Sequence, residues 1–174
     1  MDEHPETWRI RTWYVLHVKP RTEKKVFEYL RRMGVFRYLP LLKKVTKVQR
    51  RKVTRYLPLF PGYVFTRLDP EQKGRIYGTQ MLVQAIVVDN PRQMVHQLRQ
   101  IKHAGRLADE LTPIAEFSVG EYVRVRTGPF MGLEGYVQRR DGVASLVLSL
   151  EILGRAVEVK INPVDLEPLS PIYG

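Results

Sequence analysis

The sequence predicts an α+β domain followed by a small all-β domain. Three observations carry this. Strand and helix patterns intermingle through the first 107 residues; residues 108–116 mix acid and Pro113 with few aromatics; everything beyond is short strands and glycine-rich turns. The first domain is an antiparallel sheet flanked by helices and is drawn at 11–107. The second, a small barrel, is drawn at 117–170, with 108–116 as the linker.

Trp13-Tyr-Val-Leu-His-Val18 is aromatic and β-branched, the composition of a buried strand, and Lys19-Pro20 ends it. Thr22 is placed to cap a helix running to about Met33 and closed by Gly34, with Val26, Phe27, Tyr29 and Leu30 apolar and Lys24, Lys25, Arg31 and Arg32 cationic. Val35 to Val48 reads as a strand, Gln49-Arg-Arg-Lys52 as a basic hairpin tip, and Val53 to Leu59 as the return strand. Phe60 to Leu68 is a further strand, entered through a Pro-Gly turn. Asp69-Pro70 opens a second, short helix with proline at its first position. Met81 to Val88 is a strand. After the turn Asp89-Asn-Pro91, Met94, Val95, Leu98 and Ile101 fall at helical spacing and define a helix from about Arg92 to Leu107.

In the second domain Val123 and Val125 alternate with Arg124 and Arg126, and Gly120, Gly128, Gly132 and Gly135 punctuate the same stretch. This is strand, tight turn, strand, with Phe130 exposed at the turn. Asp141-Gly142 is a hairpin signal, and Leu146, Leu148 and Leu150, then Val157, Val159 and Ile161, alternate as strands do.

Composition narrows the function. Cysteine is absent, so no disulfide framework or thiolate metal site exists, and His4, His17, His96 and His103 are scattered without a zinc-ligand spacing. No metal or cofactor is expected. The N-terminus lacks the basic-then-apolar order of a signal peptide, and no apolar run approaches the roughly 20 residues that span a bilayer. A cytoplasmic protein without membrane contact is expected. No glycine-rich phosphate loop or Ser-His-Asp arrangement points to an enzyme. The net charge of +11 is uneven: Lys19 to Tyr56 holds 14 Lys or Arg against 2 Glu, and the remainder is close to neutral. Clustered cations of this kind suit a polyanion, because they release counterions from phosphates.

Two segments carry a resemblance. The glycine-punctuated stretch around Gly120, Val123, Val125, Gly128-Pro129-Phe130, Gly132, Gly135 and Val137 resembles a KOW motif, continued by Ile152-Leu-Gly-Arg-Ala156. Trp13-Tyr14 with Leu59-Phe-Pro-Gly-Tyr-Val-Phe65 resembles the hallmark strand of the NusG N-terminal domain. Together they make the chain similar to the NusG family of transcription elongation factors over residues 11 to 169, with the Leu-Phe-Pro stretch closer to its specialised, operon-restricted paralogs. The resemblance implies an SH3-like KOW barrel and a monomeric antitermination factor with no catalytic site. It implies RNA polymerase binding to the clamp helices of the largest subunit through Tyr14, His17, Phe60, Tyr63 and Phe65. Tyr63 and Phe65 lie on one face of their strand by alternation, and exposed contact is expected of both. Lys19, Arg21, Lys24, Lys25 and the tip Arg50, Arg51 and Lys52 would meet upstream or non-template DNA. Relatives touch the far side of the polymerase cleft from a small Pro-Gly or Arg-Gly motif just before the strand that follows the second helix; this sequence departs from it with Gln80-Met81-Leu82, and Arg75 to Thr79 is the segment expected to take that contact. The barrel would recruit a ribosomal protein or Rho through Phe130, Ile152, Leu153 and Arg155, and β-branched alternation over 143–161 favours the barrel over a helical hairpin as its resting form. A KOW-type ribosomal or RNA-binding protein without polymerase binding is the alternative.

Overall fold

The aromatic and β-branched segment Thr12–Val18 (β1) is the centre of the first sheet in the computed structural model, which describes residues 10–108, 111–114 and 120–169. Val119, His4, the linker residues Asp109, Glu110, Ala115 and Glu116, and the ends expected for the second domain lie outside those described. β1 pairs antiparallel with β5 (Tyr63–Leu68) on one side and β6 (Leu82–Val87) on the other, and β2 (Arg37–Tyr38) flanks β5. The strand order is β2-β5-β1-β6.

One face of this sheet presents Tyr14, Leu16, Val64 and Leu68. They form a core with Val26 and Leu30 of helix α1 (Glu23–Arg32) and Ile76 of helix α2 (Pro70–Gly78). Val26 and Leu30 are one helical turn apart, so a single stripe of α1 reaches the sheet. The α1 start differs from expectation. Thr22 makes no side-chain cap; its hydroxyl donates instead to the Lys19 carbonyl at 2.7 Å. The next residue, Glu23, is buried and accepts the Gly62 backbone N–H at 2.9 Å, which ties the helix to the Pro-Gly turn before β5. α2 begins with the reciprocal Asp69–Gln72 capping box, with Pro70 at its first position.

The strand expected over 35–48 is broken. Pro40 lacks a backbone N–H, and after it the chain leaves the four-stranded sheet. Among the described residues β3 (Leu41–Val48) and β4 (Arg51–Pro58) pair only with each other, as a two-stranded ribbon. Two residues, Gln49 and Arg50, close it with φ of 46° and 67°. At its root Leu59 N–H donates to Pro40 O at 2.8 Å, and Lys24 Nζ donates to Tyr56 O at 2.8 Å.

By its contacts the chain divides between Pro91 and Arg92. Helix α3 (Pro91–Leu107) therefore groups with the second unit, whereas a boundary at 107 would place it with the first. The second unit is a six-stranded antiparallel sheet of β7 (Thr112–Ile114), β8 (Tyr122–Val125), β9 (Glu134–Arg140), β10 (Val143–Leu150), β11 (Arg155–Lys160) and β12 (Leu166–Pro168). The order is β12-β8-β9-β10-β11-β7. β7 corrects the linker: Thr112–Ile114 pairs with Glu158–Ala156 and extends the sheet edge. Residues 143–160 form strands and a short 3₁₀ turn, as the alternation expects. Val123, Val125, Leu133, Leu146, Leu148 and Leu150 are buried there. Gly135 of β9 is required by space, because a Cβ would collide with the Val147 carbonyl oxygen on β10. Asp141 and Gly142 both take positive φ in the tight β9–β10 turn. Among the described residues, no helix is long and apolar enough to cross a membrane.

Candidate functional site

The aromatic strands hold the first group. Register sets Val15 opposite Phe65 and His17 opposite Tyr63, so these four residues share the sheet face turned away from the α1–α2 core. The His17 and Tyr63 rings stack with centroids 5.1 Å apart, and both are partly exposed. Gly62, in the turn beside this pair, holds φ +88°, a left-handed backbone that glycine adopts without strain. Farther along the same face, Tyr38 tilts against Phe65 at 6.4 Å, and Trp13 meets the edge of Phe36 at 5.0 Å. Phe36 is 50% exposed and was not singled out from the sequence, because it lies outside the hallmark strand.

Three expected contact residues are corrected by burial. Tyr14 faces the other side of β1, inside the helical core, with Lys73 Nζ 5.4 Å from its ring centre. Phe60 is 2% and Phe65 0% exposed. Alternation sorts residues between two faces; it does not say whether a face is covered at each point along the strand. Tyr63 and Phe65 thus share a face without sharing exposure. The surface that remains is His17 and Tyr63, with Val15 and Phe65 buried on the same face.

The cations form two groups. Lys19, Arg21, Lys24 and Lys25 are exposed where β1 passes into α1, and Arg21 takes positive φ. Lys24 is engaged on the Tyr56 carbonyl, which makes it a brace of the ribbon root. Arg50, Arg51 and Lys52 are exposed at the ribbon tip, about eight strand residues or about 26 Å from that root. The structure therefore keeps the two groups apart. Arg75 and Tyr77 are exposed at the end of α2, where the Tyr77 hydroxyl accepts the Ala85 N–H at 3.2 Å.

Phe130, Ile152, Leu153 and Arg155 gather at one end of the second sheet. The β8–β9 turn and the 3₁₀ turn Glu151–Leu153 both lie there, because β8, β9 and β10 run antiparallel in succession. Phe130, Ile152 and Leu153 are partly exposed and Arg155 is exposed. Helix α3 meets the same end through three glutamines at helical spacing, which the sequence reading missed. Gln93 donates to the Glu151 carboxylate at 2.7 Å, Gln97 accepts the Glu151 N–H at 3.1 Å, and Gln100 accepts the Glu134 N–H at 3.1 Å. Their i, i+4, i+7 spacing was the available signal. Nearby, Arg124 donates to Glu134 through Nε and Nη2 at 2.9 and 2.7 Å, and this partner holds its pKa above the ordinary guanidinium value. Burial, and next the Glu134 charge, raise the Tyr122 phenol above its usual value. His96 and His103 lie on α3, and among the described residues no three His, Asp or Glu side chains converge on one point.

Residues 11–116 match the family model described as NusG, transcription termination factor nusG. Transcription termination/antitermination protein NusG of Borreliella burgdorferi is 26% identical over 91% of this chain and 99% of its own length. The protein of the same name from Vibrio cholerae serotype O1 is 31% identical over 70% of each chain. A solved structure titled "Domain interaction in Thermotoga maritima NusG" aligns with 92% of this chain and 98% of its own at 21% identity and a TM-score of 0.46.

Proposed function

Since this chain belongs to the NusG family of transcription termination and antitermination proteins, we propose that it binds RNA polymerase and suppresses pausing and termination during elongation. It acts by contact with the transcription machinery rather than by catalysis. The stacked, partly exposed His17–Tyr63 pair is the observation that carries the polymerase contact. Aromatic rings bury much area at little entropic cost and are the usual anchors of such interfaces. Tyr14, Phe60 and Phe65 support that surface from inside rather than touching the partner.

The clamp helices of the largest polymerase subunit are the expected partner of this face. Lys19, Arg21 and Lys25, on the neighbouring β1–α1 connection, and Arg50, Arg51 and Lys52, at the tip of the β3–β4 ribbon, would hold upstream or non-template DNA by its phosphates. The end of the second sheet that carries Phe130, Ile152, Leu153 and Arg155 would engage a ribosomal protein or Rho. The test is co-elution of the full chain with core RNA polymerase, comparing wild type with His17→Ala/Tyr63→Ala. Loss of one anchor costs about 2 kcal/mol or more, so the double variant should bind at least about 30-fold more weakly while still unfolding in one cooperative thermal transition. Binding within twofold of wild type, by a folded variant, would remove this face from the interface. Capture of large ribosomal subunits without polymerase would favour the ribosomal alternative.

A further inference from the structure

The DNA contact expected of the β3–β4 ribbon leaves open whether the ribbon takes a duplex or a single strand. Residues 41–58 carry seven Lys or Arg and no Asp or Glu. Among the described residues the ribbon pairs with no other strand, exposed side chains stand on both of its faces, and an isolated two-stranded ribbon is at best marginal by itself. Register places Lys43, Lys47, Lys52 and Tyr56 on one face and Lys44, Arg51, Arg55 and Leu57 on the other. Valines and other apolar side chains stand among them and are not withdrawn: Val45 is 52%, Val48 47% and Tyr56 52% exposed. A cationic arm meant to lie flat on a charged surface needs its charges on one side only. Here they are on both.

From this two-sided pattern we infer that the ribbon enters the major groove of double-stranded B-form DNA. The inference rests on the nucleic-acid contact proposed above and specifies which form of nucleic acid the ribbon takes. The major groove of B-DNA is about 12 Å wide and admits a two-stranded ribbon, whose strands are about 4.8 Å apart. Phosphates rise on both walls of that groove, which is where opposite faces of an inserted ribbon direct their Lys and Arg side chains. Single strands are held by successive stacked bases, and Tyr56 is the one aromatic residue on the ribbon. The A-form RNA major groove is deep and narrow, and side chains cannot read it. The braced root, with Lys24 on Tyr56 O and Leu59 on Pro40 O, lets the arm insert without rearranging the sheet.

The experiment measures full-chain affinity for a mixed-sequence DNA duplex, its single strand, and the matching RNA duplex, across salt. Two paired variants, Lys43→Gln/Lys47→Gln on one face and Lys44→Gln/Arg55→Gln on the other, are compared with Lys43→Arg/Lys47→Arg. The DNA duplex should be bound at least tenfold more tightly than either other probe. Each glutamine pair should shallow the slope of log affinity against log salt by about 1.8, about 0.9 per lost phosphate contact, and the arginine pair should restore it. Methylating guanine N7 in the major groove should weaken binding, and a minor-groove-filling drug should leave it unchanged. Dependence on one face alone, equal or tighter binding of the single strand or RNA duplex, or competition by the minor-groove drug would each overturn the inference. Co-elution of the same glutamine variants with nucleic-acid-free core polymerase separates the two levels. Retained co-elution with no duplex preference sinks the ribbon assignment and spares the polymerase reading. Lost co-elution with unchanged duplex affinity makes the ribbon a protein contact.

Discussion

Phe65→Ala is expected to damage the first unit, and Tyr63→Ala, two residues away on the same face, is not. Phe65 has 0% exposure, pairs across to Val15, and lies 6.4 Å from the Tyr38 ring. Truncating a fully buried phenylalanine costs about 3–5 kcal/mol through lost burial and the cavity left behind. For a unit of this size, each 1 kcal/mol moves the melting temperature by about 4–8 °C, so Phe65→Ala should melt at least about 12 °C below wild type. Tyr63 is partly exposed and its chief described ring contact is the His17 stack, worth about 0.5–1.5 kcal/mol beyond area. Its loss should shift the transition by about 2–12 °C, no further than the smallest shift expected of Phe65→Ala. Calorimetry of the full chain, with near-ultraviolet circular dichroism to follow the aromatic environment, reads both. If Phe65→Ala melts within about 4 °C of wild type, or if the two variants melt together, burial does not separate these residues as described. A Tyr63→Ala/Phe65→Ala double variant is accordingly a poor probe of binding, because unfolding alone would abolish it.

Other outcomes follow from the same geometry. Gly135→Ala should destabilise the second unit by about 1–3 kcal/mol or more, measured by urea melting, because the backbone carbonyl of Val147 cannot step aside as a flexible side chain could. Gln49→Asn/Arg50→Gly should raise hydrogen-exchange protection across Leu41–Pro58, since both turn residues hold positive φ and left-handed backbone costs about 1–2 kcal/mol per ordinary residue. Tyr122 binds its phenolic proton more tightly folded than unfolded, so the associated stability is complete below the ordinary value of 10.0 and is lost as pH rises through the higher folded value. Urea melts of Tyr122→Phe below and above about pH 10 should lack that part of the alkaline loss.

Much of the fold was legible because its signals are local. Asp69-Pro70, the Asp141-Gly142 pair and Gly34 each act within a few residues, and each stands where its chemistry demands. The misreadings have a common cause. Pro40 divides what looks like one strand, since a β-branched run reports extended backbone and not which sheet it joins. Tyr14 and Phe65 looked like contacts because composition names good anchors without telling which ring the rest of the chain will cover. Thr112–Ile114 looked like linker, yet it supplies an edge strand through backbone hydrogen bonds that any residue, apart from the donor lost at Pro113, can make. The α3 glutamines carry no charge and no family signature, so only three-dimensional placement exposes their pairing with Glu151 and Glu134.

Those amide hooks are uncharged on the helix side, and two of the three grip peptide N–H groups. Dissolved ions screen contacts between full charges far more than they disturb bonds of this type. Brine would therefore act on this molecule as a selective solvent, stripping away whatever phosphate chain the cationic arm had gathered while leaving the long helix fastened to its sheet.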